Sequence, residues 1–131
     1  MARLKKSGVP PESWEQKQVI RWSQQPSIRQ LYPELGLLYH IPNEREDKVQ
    51  AAILKDMGVK KGVPDLHLPV PSGKYHGLYI EMKALDGKPD PEQLWWIEHL
   101  QANGNACAIC YGWQQAMEVL QWYLNLKTQQ V

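Results

Sequence analysis

One stretch constrains this chain more than any other: VPDLHLPVPSGKYHGLYIEMK, residues 63–83. Both of its ends carry the alternation of a β-strand, and both place charge at alternate positions. In GLYIEMKA, Leu78, Ile80 and Met82 fall on one face, while Tyr79, Glu81 and Lys83 fall on the other. In VPDLHL the same division separates Leu66 and Leu68 from Asp65 and His67. The connection contains Pro, Ser and Gly, which predicts a hairpin. Setting Asp65 directly opposite Glu81 leaves residues 70–76 as the loop and brings two carboxylates within about 5 Å at Cβ.

Two carboxylates that close repel, and one takes up a proton unless a cation keeps both ionised. A divalent ion satisfies both. Oxygen ligands favour a hard ion, Mg²⁺ or Mn²⁺, over zinc, and His40, His67, His76 and His99 have no ligand spacing. Lys83 shares the Glu81 face, where its charge can orient an attacking water or stabilise a developing oxyanion. Such a set suits phosphodiester hydrolysis. The plain alternative is a solvated Glu-Lys pair on an exposed strand face.

Around this hairpin the chain reads as one domain. At 131 residues it is long enough to bury roughly two thirds of its unfolded surface. PPESWEQKQVIRWSQQ predicts a first helix ended by Gln24-Gln25-Pro26, and LLYHI (37–41) a short buried strand closed by Pro42. DKVQAAILKDMG is a second amphipathic helix stopped by Gly58. DPEQLWWIEHLQANG is a third, with Asp90 as N-cap and Gln93 placed for a capping box. NACAICYG predicts a strand, and WQQAMEVLQWYLNL a last helix with Ala116, Leu120 and Tyr123 or Leu124 inward. Gly58 and Gly62 allow the backbone to turn tightly into the Asp65 strand. The order indicates an α/β fold with a mixed sheet covered by helices.

Cys107 and Cys110 lie three apart in a strand and face opposite ways, so they read as structural thiols. The formal net charge is +1, below what a protein held to DNA chiefly by electrostatics carries. Basic residues concentrate before residue 90, and only Lys127 follows. No apolar run approaches the ~20 residues of a membrane span, and MARLKKSG lacks a signal peptide's apolar stretch; a cytoplasmic protein is expected. The six tryptophans with no phenylalanine invite a base-stacking reading for Trp95 and Trp96. Core packing, with one of the pair at a subunit interface, is preferred, because neighbours on a helix point about 100° apart.

With these residues in place, the chain resembles the PD-(D/E)xK nucleases, and specifically the small stand-alone VRR-NUC proteins common in phages and prophages. The resemblance runs in order through ESWEQ (12–16), YHIPNE (39–44), MGVKKGVPDLHLPVP, YHGLYIEMK, PEQLWWIEHLQANG and CYGWQQAMEVL. It implies a restriction-endonuclease-like αβββαβ core over residues 12–126, with 1–11 a basic segment and 127–131 a polar tail. It further implies metal-dependent cleavage of branched, junction or flap DNA by a homodimer, with no organic cofactor and no membrane, in a bacterial host cell.

Carried over, Asp65, Glu81 and the Met82 carbonyl hold the metal, and Lys83 positions the water. Glu12 is chosen as the first-helix acid over Glu15, because it fits an E-S-x-x-Q pattern with Gln16. Gln93 matches the family's glutamine after the catalytic strand, although it also suits the capping box. Asn43 is either a DNA contact or a turn residue, and Lys60 and Lys61 are weaker DNA contacts. The rival reading is a nucleic-acid-binding module of the same fold that performs no chemistry. A third, a purely structural dimerisation protein, leaves the acid pair without purpose.

Overall fold

The structure is a computed structural model that describes residues 8–43 and 47–126. Glu44 of the YHIPNE motif, most of the N-terminal basic segment and the polar tail lie outside the described residues.

Helix α1 (Glu12–Ser23) opens at Pro11 and closes at Gln24. Pro26 ends it, as the sequence predicts, but it also starts a second helix, α2 (Pro26–Leu31). Pro33 then opens a 3₁₀ turn, Pro33–Leu37. Proline's fixed φ suits the first position of a helix as well as it blocks the interior, so both prolines are starts as well as stops. The strand expected over 37–41 shrinks to β1 (Tyr39–His40), and Tyr39 is 48% exposed rather than buried. Its place explains this: β1 is an outer strand of the sheet and pairs on one side only.

Helix α3 (Lys48–Asp56) is capped by Asp47, whose Oδ1 accepts from Gln50 N at 2.7 Å. No residue of α3 is buried, and Val49, Ile53 and Met57 are exposed. The chain then turns through Gly62, whose φ of +91° disfavours a side chain. A Cβ there would also stand 2.9 Å from Glu92, so glycine lets the loop pass against the following helix.

Strands β2 (Leu66–Leu68) and β3 (Leu78–Lys83) form the predicted antiparallel hairpin, with Leu66 opposite Ile80 and Leu68 opposite Leu78. Helix α4 (Pro91–Ala102) carries the chain to β4 (Ala106–Tyr111), which runs parallel to β3. The sheet order is β1-β2-β3-β4. Helix α5 (Trp113–Asn125) closes the described chain and buries Ala116, Leu120, Tyr123 and Leu124. Counted without α2, the turn and α3, the order from α1 to β4 is the expected αβββαβ core, a mixed α/β sheet flanked by helices.

The core lies between one sheet face and helices α1 and α5. Leu66, Leu68, Leu78, Ile80 and Met82 meet Val19 and Trp22 of α1 and the inward residues of α5. Each large side chain buried there contributes roughly 1.5–3 kcal/mol. Tyr123 fastens the hairpin loop to α5: its hydroxyl donates to Val70 O, and Ser72 Oγ donates to its carbonyl at 2.6 Å. Helix α4 supplies no residue to this cluster and packs against β4. Neither Trp95 nor Trp96 belongs to the core, whereas Trp22 does.

Candidate active site

The β2–β3 register, carried two residues past the paired strands, sets Asp65 opposite Glu81 and Pro64 opposite Met82. Asp65 is doubly fixed. Its carbonyl accepts from Ile41 N at 2.8 Å, and its Oδ2 accepts from Met82 N at 2.7 Å. His40 Nδ1 also lies 2.8 Å from the Asp65 carbonyl. A carbonyl only accepts, so the contact holds His40 with its proton on Nδ1. A residue's N–H and C=O leave a strand on the same side, so the Met82 carbonyl points toward β2, as its N–H does. Proline has no N–H, and the ladder bond that residue 64 would otherwise give that carbonyl cannot form.

Glu81 is 1% exposed, and neither of its carboxylate oxygens accepts a hydrogen bond. Lys83, also buried, brings its Nζ to 3.6 Å from Glu81 Oε2 and 3.7 Å from Glu12 Oε2. Glu12, Asp65 and Glu81 each offer one carboxylate oxygen within 4.8 Å of the others. Burial pushes Glu81 up to about 9, reinforced by the charge of Asp65 and opposed by Lys83. Burial also raises Asp65, against the pull of the Met82 N–H. Glu12 and Asp65 are only partly buried, so the cost of ionising three acids beside one ammonium falls on Glu81, the one that is cut off from water; in the absence of a cation Glu81 holds a proton at neutral pH.

These residues fit a divalent ion. An orphaned buried carboxylate, converging with two more acids and no His or Cys, is an all-oxygen donor set of the kind hard cations take. Glu81 and Lys83 are therefore not the solvated pair of the plain alternative.

The other candidates fall elsewhere. Glu15 is buried on α1, and its Oε1 accepts from Trp113 N at 3.0 Å, capping the start of α5. Gln93 forms the capping box of α4: its Oε1 accepts from Asp90 N at 2.9 Å, and its own N–H donates to Asp90 Oδ1 at 3.0 Å. With its amide turned so that both ends are satisfied, Asn43 donates to Lys60 O at 3.0 Å and accepts from Gly62 N at 3.1 Å. It thereby clasps the loop that leads to Asp65. Lys61 pairs with Glu92 at 3.5 Å with both side chains well exposed, a contact of small energetic weight. Its carbonyl accepts from Trp96 Nε1 at 3.1 Å. Cys107 and Cys110 are free thiols on β4, both raised by burial, Cys110 to about 12.

The sequence does not single out His40 as a support for Asp65, because the contact depends on β1 pairing with β2 across 25 residues. It also does not single out Tyr39 beside His67 and Tyr79. Strand alternation alone puts His67 and Tyr79 on the charged face, and only the β1 register adds Tyr39.

A restriction-endonuclease-like core with converging acids and a lysine on its central strands defines a nuclease-type domain. The chain matches the VRR-NUC domain over residues 10–114, and it belongs to that family. A solved structure described as a VRR_NUC domain protein is 33% identical, with a TM-score of 0.73, and the match covers 90% of this chain and 91% of that one. No match was found among curated proteins. Among the described residues no helix is long and apolar enough to cross a membrane.

Proposed function

We propose that this chain is a metal-dependent DNA endonuclease, selective for branched, junction or flap DNA. The observation that carries the proposal is the Glu81 carboxylate, buried with no hydrogen-bond donor facing either oxygen, between two further acids and Lys83, so that without an ion it reaches only Asp65, through a shared proton. Glu12, Asp65, Glu81 and the Met82 carbonyl would hold Mg²⁺ or Mn²⁺. The ion supplies Lewis acidity toward a phosphoryl oxygen and lowers the pKa of water.

The protein's own part is positional. The Met82 N–H fixes one oxygen of Asp65 and leaves the other available to an ion. Lys83 is held by two carboxylates and has little freedom to swing away, so its ammonium orients the attacking water and steadies the phosphate's charge. Lys60 and Lys61, on the loop clasped by Asn43, contact the DNA backbone. Gln93, with its Oε1 in the cap, leaves its Nε2 for the substrate. The exposed apolar residues of α3 and Trp95 of α4 support a homodimer. A role in phage or prophage replication, recombination or repair in the bacterial cytoplasm completes the reading.

The test is incubation of the purified chain with labelled four-way junction, flap, single-stranded and duplex DNA, with Mg²⁺, Mn²⁺ or EDTA. Cleavage of the branched substrates that needs metal and disappears in Glu81→Ala and Lys83→Ala is expected. Binding without cleavage under every condition would make the chain an inactive module instead, and cutting confined to duplex ends would remove the branched-DNA selectivity.

A further inference from the structure

The sheet face that presents Asp65 and Glu81 continues into a row of three aromatic rings. Pairing sets Tyr39 beside His67 and His67 beside Tyr79, straight across β1, β2 and β3. His67 is two residues from Asp65, and Tyr79 is two from Glu81, so the ring row shares the face of the acid row. The offset along the strands is about 6.8 Å, close to the rise of two stacked bases.

The rings are organised. His67 lies flat on Tyr79, with centroids 4.2 Å apart and planes 5° apart. Tyr39 meets His67 edgewise at 5.4 Å and 68°. The Tyr39 hydroxyl lies 2.9 Å from His67 Nδ1. Tyr39 is thus anchored at its tip while about half of it stays open to solvent.

Cross-strand aromatic packing, which stabilises sheets generally, accounts for His67 on Tyr79. It does not account for a half-exposed ring tethered by its hydroxyl, on the side of the sheet that bears the acids. A fixed, open aromatic surface is what an unstacked base needs as a platform, because the protein's share of the ordering entropy is already met.

We infer that the Tyr39–His67–Tyr79 row is a base-stacking subsite. It takes the base of a nucleotide one or two steps from the phosphate held at the acids. In a continuous duplex both faces of a base are covered by its neighbours, so the row accepts only an unpaired or flipped-out base. It therefore favours strands at flaps, junction openings and single-stranded ends. Stacking itself is independent of hydrolysis; the placement beside the scissile phosphate rests on the nuclease reading.

The experiment uses the full chain in EDTA with a single-stranded oligonucleotide carrying 2-aminopurine, whose emission falls when it stacks. The intact protein is expected to quench it. Tyr39→Leu, at an exposed position that keeps an apolar strand residue, is expected to abolish the quench and weaken single-strand binding about tenfold, with duplex binding changed less than about twofold. Tyr39→Phe retains the ring and is expected to keep most of the quench, which separates loss of the platform from loss of the fold. Absence of quenching with the intact protein, or a Tyr39→Leu protein that quenches and binds as before, overturns the subsite. Metal-dependent cleavage is followed in parallel. Quenching without cleavage upholds stacking and removes the nuclease reading, whereas cleavage without quenching removes the subsite alone.

Discussion

From Ile80 to Lys83 the two faces of β3 are buried to nearly the same depth and do opposite things. Leu78, Ile80 and Met82 are almost fully covered by α1 and α5, and Glu81 and Lys83 on the reverse are scarcely more accessible. On the first face, burial removes apolar surface from water and stabilises the fold. On the second it strips hydration from charges and destabilises it unless something replaces the water. One strand thus carries both the fold's main support and its main electrostatic burden, which a cation at the acids would relieve.

The largest effect that separates the faces is on catalysis. Glu81→Gln is expected to lower metal-dependent DNA cleavage by at least ~10³-fold, and Lys83→Ala by about 10²–10³-fold, measured as single-turnover rates. Circular dichroism should show both folded. A truncation on the apolar face reverses the pattern: Ile80→Ala or Leu120→Ala should cost about 2–5 kcal/mol of stability in urea titrations. If Glu81→Gln destabilised the metal-free protein as much as Ile80→Ala does, the two faces would not differ as described.

The two faces also differ in how they respond to pH. In the metal-free folded chain Glu81 keeps its proton up to about 9, whereas its ordinary value is 4.5. Between those limits the unfolded chain binds fewer protons than the folded one, so the Glu81 contribution to stability falls as pH rises from about 4.5 to about 9. Thermal melts in EDTA should lose Tm across that range. Glu81→Gln should flatten the slope, and Mg²⁺ should do so in the unmodified protein. The smallest expected effects lie at helix starts. Asp90→Ala should cost about 1 kcal/mol by opening the capping box of α4, and Glu15→Ala about 1–2 kcal/mol by uncapping α5, both read from urea midpoints.

Much of the fold is legible in the sequence wherever the signal is local. Strand alternation around Asp65 and Glu81 yields the hairpin and its register, because shifting a strand by one residue would turn Leu66 and Ile80 outward. Helical spacing in the last segment picks out the residues α5 buries. Residues 26–37 are not legible, since a proline that stops one helix also suits the start of the next. The exposure of Tyr39 depends on β1 being an outer strand, which is a property of the whole sheet.

The site divides the same way. The position of Asp65 opposite Glu81 is local, but the depth at which Glu81 sits is not. An E-x-K motif looks the same whether solvated or buried, and only the cover over the strand distinguishes them. Glu12 and Glu15 cannot be separated by their helix. What separates them is that the backbone N–H of Trp113, 98 residues away, takes up Glu15, while Glu12 converges on Lys83 and the acids. Gln93 suited two roles, and the structure shows its Oε1 in the cap.

As a metal ligand Glu81 must exchange its proton for a divalent cation, and calorimetric titration of the full chain with Mg²⁺ or Mn²⁺ measures that exchange. It would be run at pH 7 in two buffers of different ionisation enthalpy. Saturable binding with release of about one proton per ion, abolished in Glu81→Gln, is the predicted result. No saturable binding, or binding that releases no proton and survives Glu81→Gln, would contradict the account.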